Sequence, residues 1–379
     1  MVHNKLSKLF IVSLFFMIFS GQVFGQDQRY SQYYSSPSRL NPALAGVFNG
    51  SYRFGINYRT QWGENMYKAF NSGSFTADAR FRVLDKDYIG VGINAMYDKA
   101  GISGYSIMEI GIDFNYQKKL YQGRGILGKN QQQYIVAGGR IAIGQRAVNW
   151  DNLTFSTQWD PEAQGYYNLN INNGEPAYAI RQNRLYPEIS AGAMWYGTFG
   201  ERRSAFFGAS IYHLNSPDIS LFSAPLRDTA TNITSIPVER LPLRFTIHGG
   251  GEVLLGNGRA GAFSLLPGFV AMFQGPSAEI NFGLLCKYQQ PKFDDFAFKF
   301  GLWGRVANQY INFENATMGF DALVAHIGLD YNNFQLGLSY DVTLSKLSLV
   351  NNSRGSFEVS LFYILLGKDS RRQDCPSFK

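Results

Sequence analysis

Cysteine is nearly absent from this 379-residue chain, which holds only Cys286 and Cys375. Two thiols cannot build the disulfide framework that staples small secreted domains, so stability must come from elsewhere. Histidine is as scarce: His3, His213, His248 and His326 are the full set, and none stand at the spacing of paired metal ligands. Charged residues make up 17% of the chain and sum to +7 without any basic block, a pattern that argues against nucleic acid as a partner. Beyond the N-terminus no window holds about 18 consecutive apolar residues, which excludes transmembrane helices. No serine sits in a G-x-S-x-G elbow and spacing assembles no Ser/His/Asp set, so the chain offers no catalytic residues and calls for no cofactor. The nearest approach to a nucleotide motif is GRGILGKN, with Gly123, Gly128 and Lys129. Asn130 replaces the hydroxyl that would reach a metal, and a strand follows instead of a helix, so the run reads as a basic turn.

What is present begins with an address. Lys5 and Lys8 precede an apolar run from Leu9 to Phe19, followed by Val23 and Gly25, which predicts a secretory signal peptide over residues 1–25. Its apolar core is too short to span a bilayer of roughly 30 Å as a helix. Cleavage after Gly25 would make Gln26 the N-terminus and, with two lysines gone, lower the charge from +7 to +5.

Glycine, tyrosine and phenylalanine are abundant, and from Ser51 onward apolar residues recur at every second position. Tyr52, Phe54, Ile56 and Tyr58 share one face opposite Arg53, Gly55 and Asn57, the mark of a half-buried strand. Counting such runs predicts fourteen strands, at about 51–60, 71–82, 88–98, 105–118, 133–145, 186–197, 203–213, 241–254, 262–273, 278–289, 294–305, 319–331, 334–343 and 356–366. Asn332-Asn333 between the thirteenth and its predecessor reads as a tight hairpin turn. An even number of antiparallel strands fits a transmembrane outer-membrane β-barrel over residues 51–366.

The polar face decides between that barrel and a soluble sandwich. It is rich in Gly, Ser, Asn and Thr and carries both signs: Arg53, Arg80, Arg140, Arg244, Lys287, Lys299 and Arg305 against Asp78, Glu109, Asp113, Glu188, Glu252, Glu279, Asp330 and Asp341. Small residues and opposed charges suit an enclosed lumen, and the aromatic face suits lipid. Cys286 falls on the lipid face as a small hydrophobe. With both termini in the periplasm, the longest connections, 146–184 and 214–240, point outward; one inward connection, 119–132, is long for this rule.

Three stretches lie outside the strands. Residues 26–50, with Pro37 and Pro42, form a periplasmic lead-in for which two arrangements stay open: a plug tucked into the barrel mouth, or a tethered strap. Trp150, Trp159, Tyr166 and Tyr167 in the long outer loop form a candidate partner-binding surface, with a lid over the barrel as the alternative. Residues 367–379 are a basic periplasmic tail containing Cys375.

The lead-in also carries a resemblance. Ser31-Gln32-Tyr33, then Asn41-Pro42-Ala43 with Gly46, then Tyr58-Arg59-Thr60-Gln61-Trp62 closing the first strand, resemble the opening of the PorP/SprF family of type IX secretion system membrane proteins. IGVGINAMYDKAG, the Trp-Asp element within 148–153 and the terminal Cys375-Pro376 resemble later family features. The resemblance implies a non-enzymatic outer-membrane barrel of the Bacteroidota in contact with outer-membrane lipid. It also implies a role in type IX secretion or gliding. The partners implied are secretion components, a secreted surface protein of the adhesin type, and a periplasmic peptidoglycan-linked protein. The competing reading is a passive or substrate-specific channel of porin type, which would need an open lumen.

Overall fold

A computed structural model describes residues 27–366, apart from 64–67, 85–86, 102, 125–129, 151–152, 163–166, 169, 173–180, 201, 222–225, 228–233, 236–237, 259–260, 291–295 and 313–314. The strands are β1 (Tyr52–Gln61), β2 (Phe70–Val83), β3 (Asp87–Ala100), β4 (Tyr105–Arg124), β5 (Asn130–Ala147), β6 (Asn183–Phe199) and β7 (Arg203–Tyr212). A short pair follows, β8 (Leu226–Arg227) and β9 (Thr234–Ser235). The second half holds β10 (Arg244–Gly258), β11 (Gly261–Gln274), β12 (Ser277–Gln289), β13 (Phe296–Asn312), β14 (Asn315–Tyr331), β15 (Phe334–Thr343) and β16 (Arg354–Leu365).

All of these except β8 and β9 form one closed antiparallel barrel in chain order, with β10 following β7 around the wall. Closure is made by β1, which pairs with β2 on one side and β16 on the other, from Tyr52↔Leu365 to Gln61↔Ser356. A closed ladder satisfies every strand's backbone N–H and C=O within the wall, the condition for crossing lipid without helices. Among the described residues no helix is long and apolar enough to cross a membrane.

Each of the fourteen expected strands overlaps one barrel strand. The hairpin at Asn332-Asn333 joins β14 to β15, with Asn332 at φ 50°, the left-handed conformation that asparagine tolerates. The expected long inward connection at 119–132 is corrected. The β4–β5 pairing runs on to Arg124↔Asn130, leaving 125–129 as the connection, and these residues, which include most of the GRGILGKN run, lie outside the described set. Alternation of apolar and polar residues stops at the membrane boundary, but two neighbouring strands continue to hydrogen-bond through their backbones beyond it.

The faces separate cleanly. On β1, Tyr52, Phe54, Ile56 and Tyr58 are exposed to the outside while Arg53, Asn57 and Arg59 are buried inside. Both chain ends of the barrel and the short connections share one rim. The connections 148–182 and 213–243 stand on the opposite rim, and β8 pairs with β9 within the second of them.

Candidate functional site

The interior of the barrel is where the chain's polar groups meet. Residues 27–50 enter it, and nearly all of residues 30–48 are buried. Three short turns shape the segment: 3-10 turns at Tyr33–Ser35 and Pro42–Leu44, with one α-helical turn at Pro37–Leu40 between them. Proline opens the second and third, where its missing N–H would be unpaired anyway. The Asn41 side chain caps the third by accepting from Ala43 N at 2.9 Å, the role asparagine fills at turn starts.

The segment crosses the whole lumen. Asp27 lies beside His213, Arg244 and Gln274, at the long-loop ends of β7, β10 and β11. Gly50 lies against Ile364 and Leu365 at the opposite rim, where Ser51 N donates to Leu365 O at 2.8 Å. The occupation therefore extends well past the mouth at which a plug was expected to sit.

Charge complementarity holds it there. Asp27 receives Arg244 Nη1 at 2.6 Å and His213 Nε2 at 2.7 Å. Arg29 donates to Glu279 at 3.0 Å and to Ser277 at 2.9 Å. Arg39 donates to Glu109 Oε1 at 2.8 Å, the same oxygen that accepts from Arg140 at 2.5 Å. Glu358 accepts from the backbone N–H groups of Ser31 and Gln32 at 2.8 and 3.2 Å. Asp341 accepts from Ser31 Oγ at 2.7 Å and from Arg305 at 2.8 Å. Asp78 accepts from Arg53 at 2.9 and 2.6 Å and from Gly46 N at 2.7 Å, and Asp113 from Ser38 Oγ at 2.5 Å. Low dielectric makes each charge dependent on its partner, because a buried carboxylate without one is strongly disfavoured.

The wall is shaped to the segment as well as charged for it. Gly46 has φ +69°, and a Cβ there would lie 2.8 Å from both Ala79 O and Gly90 Cα. Only glycine meets both the left-handed backbone and the close approach. A Cβ on Gly138 of β5 would lie 2.9 Å from Ala43 N and Cα, so the wall has no side chain where the third turn passes. Tyr33 packs edge-on to Trp303 with ring centres 5.4 Å apart.

The three histidines that sequence spacing left unconnected all face this segment. His213 meets Asp27, His248 Nε2 lies 3.1 Å from Asn41 Nδ2, and His326 Nδ1 lies 3.1 Å from the Tyr34 hydroxyl. Among the described residues no three His, Cys, Asp or Glu side chains are grouped to hold a metal ion. The signals missed in the sequence are Asp27, Arg29 and Arg39 in the coil, with Arg59 and Glu358 on the wall. No periodicity marks a charged residue in a coil as buried.

The motif residues divide between two environments. Ser31, Gln32, Tyr33, Asn41, Pro42 and Ala43 are buried in the lumen with Gly46. Gln32 Nε2 donates to Ser339 Oγ and Glu358 O, each at 3.1 Å. Tyr58 faces outward and donates to Asn71 at 2.9 Å, whereas Arg59 faces inward, 3.5 Å from Asp341. Gln61 closes β1, and Trp62, at φ 58°, turns the chain away with its ring 5.1 Å from Phe70. Cys375 and Pro376 lie outside the described residues. Cys286 sits on the outward row of β12, paired across to Leu265 and Phe300.

On the long-loop rim, Trp159 and Tyr167 form an isolated antiparallel bridge and are 56% and 41% exposed. Trp150 Nε1 donates to Arg181 O at 3.4 Å, away from that pair; Tyr166 lies outside the described residues. The second loop is fastened down where Ile219, Leu241 and Tyr186 cluster and Arg184 donates to Asp218 at 2.8 Å. Burial alone would raise the Asp218 carboxyl, but the Ser220 N–H at 2.9 Å, the Ser220 hydroxyl and Arg184 outweigh it and hold the group below its ordinary range.

Among solved structures, CdiB from Acinetobacter baumannii is similar over 83% of this chain at 9% identity and TM-score 0.44, and this chain spans only 60% of that one. A Pseudomonas aeruginosa FadL homologue matches over 86% of this chain and 94% of its own at 10% identity and TM-score 0.44. The transport unit of the autotransporter AIDA-I from Escherichia coli matches over 89% and 100% at 9% identity and TM-score 0.32. Likeness this low carries no argument about activity, and no curated protein matches the sequence. The family comparison is different in extent: residues 22–363 match the family described as type IX secretion system membrane protein PorP/SprF. With nearly the whole barrel and its lumen segment inside that match, the chain belongs to the PorP/SprF family of type IX secretion system membrane proteins, and its place is the outer membrane.

Proposed function

We propose that this protein is a closed, non-enzymatic docking barrel of the type IX secretion machinery. It holds a secreted surface protein of the adhesin type at its long-loop rim and meets periplasmic components, including a peptidoglycan-linked one, at the other. The observation that carries the reading is the occupied lumen, where Asp27, Arg29 and Arg39 of the segment are paired with wall charges from opposite sides of the barrel. A passive channel needs a hydrated path, and buried ion pairs with good geometry are strongly destabilised when one partner leaves. The short-connection rim leaves little loop surface, whereas the opposite rim presents exposed Trp159 and Tyr167, the aromatic type enriched at protein interfaces.

Two measurements test this. The mature chain in planar bilayers is expected to be silent, and removal of residues 26–50 to produce steady conductance; a large open conductance in the intact chain would overturn the closed reading. Photo-cross-linking from position 159 or 167 in native outer membranes is expected to capture a secreted surface protein. Capture of lipid alone would remove the docking assignment.

A further inference from the structure

The direction in which residues 27–50 run has a consequence for how the protein is made. Asp27 is level with the first residue of β10 and the last of β11, both at the long-loop rim, and Arg29 is level with Ser277, the first residue of β12. Gly50 is at the other rim beside Leu365. The chain thus starts near the cell-surface mouth and runs inward before it enters the wall as β1.

Residues 1–26 precede Asp27 by chain continuity. To lie on the periplasmic side of a closed barrel they would have to return along the lumen beside the segment. An apolar wall about 25 Å tall needs roughly 8 extended residues for that return. The path is taken: Asn41, Ala43, Val47 and Leu44 are buried against the wall, and Tyr33 and Trp303 fill the region beneath Gly268. The other route sends the apolar run from Leu9 to Phe19 out to the cell surface, with no bilayer to receive it there.

We infer that removal of the N-terminal leader precedes barrel closure, and that the new N-terminus is delivered to the cell-surface mouth of the lumen. The step is hydrolysis by a leader peptidase. Water adds across the Gly25–Gln26 amide, the C–N bond breaks, and Gly25 keeps a carboxylate while Gln26 gains an ammonium group. Only after this cut does the wall close around residues 27–50, and their ion pairs lock the order of events. The inference shares the occupied lumen with the docking reading but not its partners, so loss of cargo capture leaves it standing.

The test has two arms. Refolding into detergent compares the chain of residues 26–379 with the full chain of residues 1–379. The shorter chain is expected to give a compact barrel with residues 27–50 resistant to protease. The full chain is expected to stay open, or to close with residues 27–50 at least tenfold more sensitive. Equal protection in the two chains would overturn the order of events. In intact cells, Gln26→Cys is expected to react with a membrane-impermeant maleimide and Asn49→Cys only after the outer membrane is permeabilised. Labelling of Gln26→Cys only after permeabilisation, or only after unfolding, would overturn the placement of the N-terminus even if the barrel remains electrically silent.

Discussion

Residues 27–50 and the loop 148–182 are built from the same materials and end in opposite environments. Both are polar coil with aromatics and asparagines. The first is sealed between fourteen strands, with Asn41 fully buried and Arg39 only 8% exposed, while the second holds Trp159 more than half in the open. The difference lies in what faces them. Wall positions 109, 279, 341 and 358 supply carboxylates in register with the cations and N–H groups of residues 29–39. The loop stands above the wall, beyond the reach of most such groups. A coil becomes core when another surface completes its hydrogen bonds, and it remains surface when water must do so.

The contrast breaks most completely if residues 26–50 are deleted, since the wall charges would then face an empty lumen. The shortened barrel is expected to unfold at a much lower urea concentration than the intact one in the same micelles. Unchanged midpoints would mean the segment contributes nothing to stability. Next in size is Glu109→Ala, which strands Arg39 and Arg140 without the oxygen they share. Breaking a buried pair costs about 3–5 kcal/mol, measurable by urea unfolding and as faster proteolysis of residues 27–50. Gly138→Ala comes third, because its Cβ meets the backbone of Ala43 and backbone yields less than a side-chain tip; about 1–3 kcal/mol is expected for such overpacking.

Two smaller effects belong to the outer rim. The Asp218 carboxyl is held below its ordinary value of 3.8. Its contribution to the folded loop is therefore complete above that value and is lost as pH falls through the lowered one. Protease cutting within 213–243 should rise in the native protein below about pH 3.8 and rise at neutral pH in Asp218→Asn. Trp159→Ala should move stability by no more than about 0.5 kcal/mol while weakening capture of the surface partner. A large loss of stability there would place the loop with the core instead.

Much of the wall was legible because a strand half in lipid must alternate. Phe334, Leu336, Leu338 and Tyr340 could not share a face in any other regular structure, and their outward exposure follows. Strand ends such as Lys118 to Arg124 were not legible, since backbone pairing outlasts the apolar pattern. The candidate site was legible only on one side. Glu109, Asp113, Glu188, Glu279 and Asp341 stood out as lumen charges, but Arg39 and Asp27 in the coil carried no sign that they were the partners.

The sequence by itself determined the barrel, its inward and outward faces and which rim bears the long loops, because those follow from a local period of two and from the chemistry of lipid. Only the tertiary structure decided that residues 27–50 run from rim to rim inside the lumen. Their contacts span sequence separations such as Ser31 to Glu358 and Asn41 to His248. Such pairings have no local signature and exist only once the wall has closed around the segment.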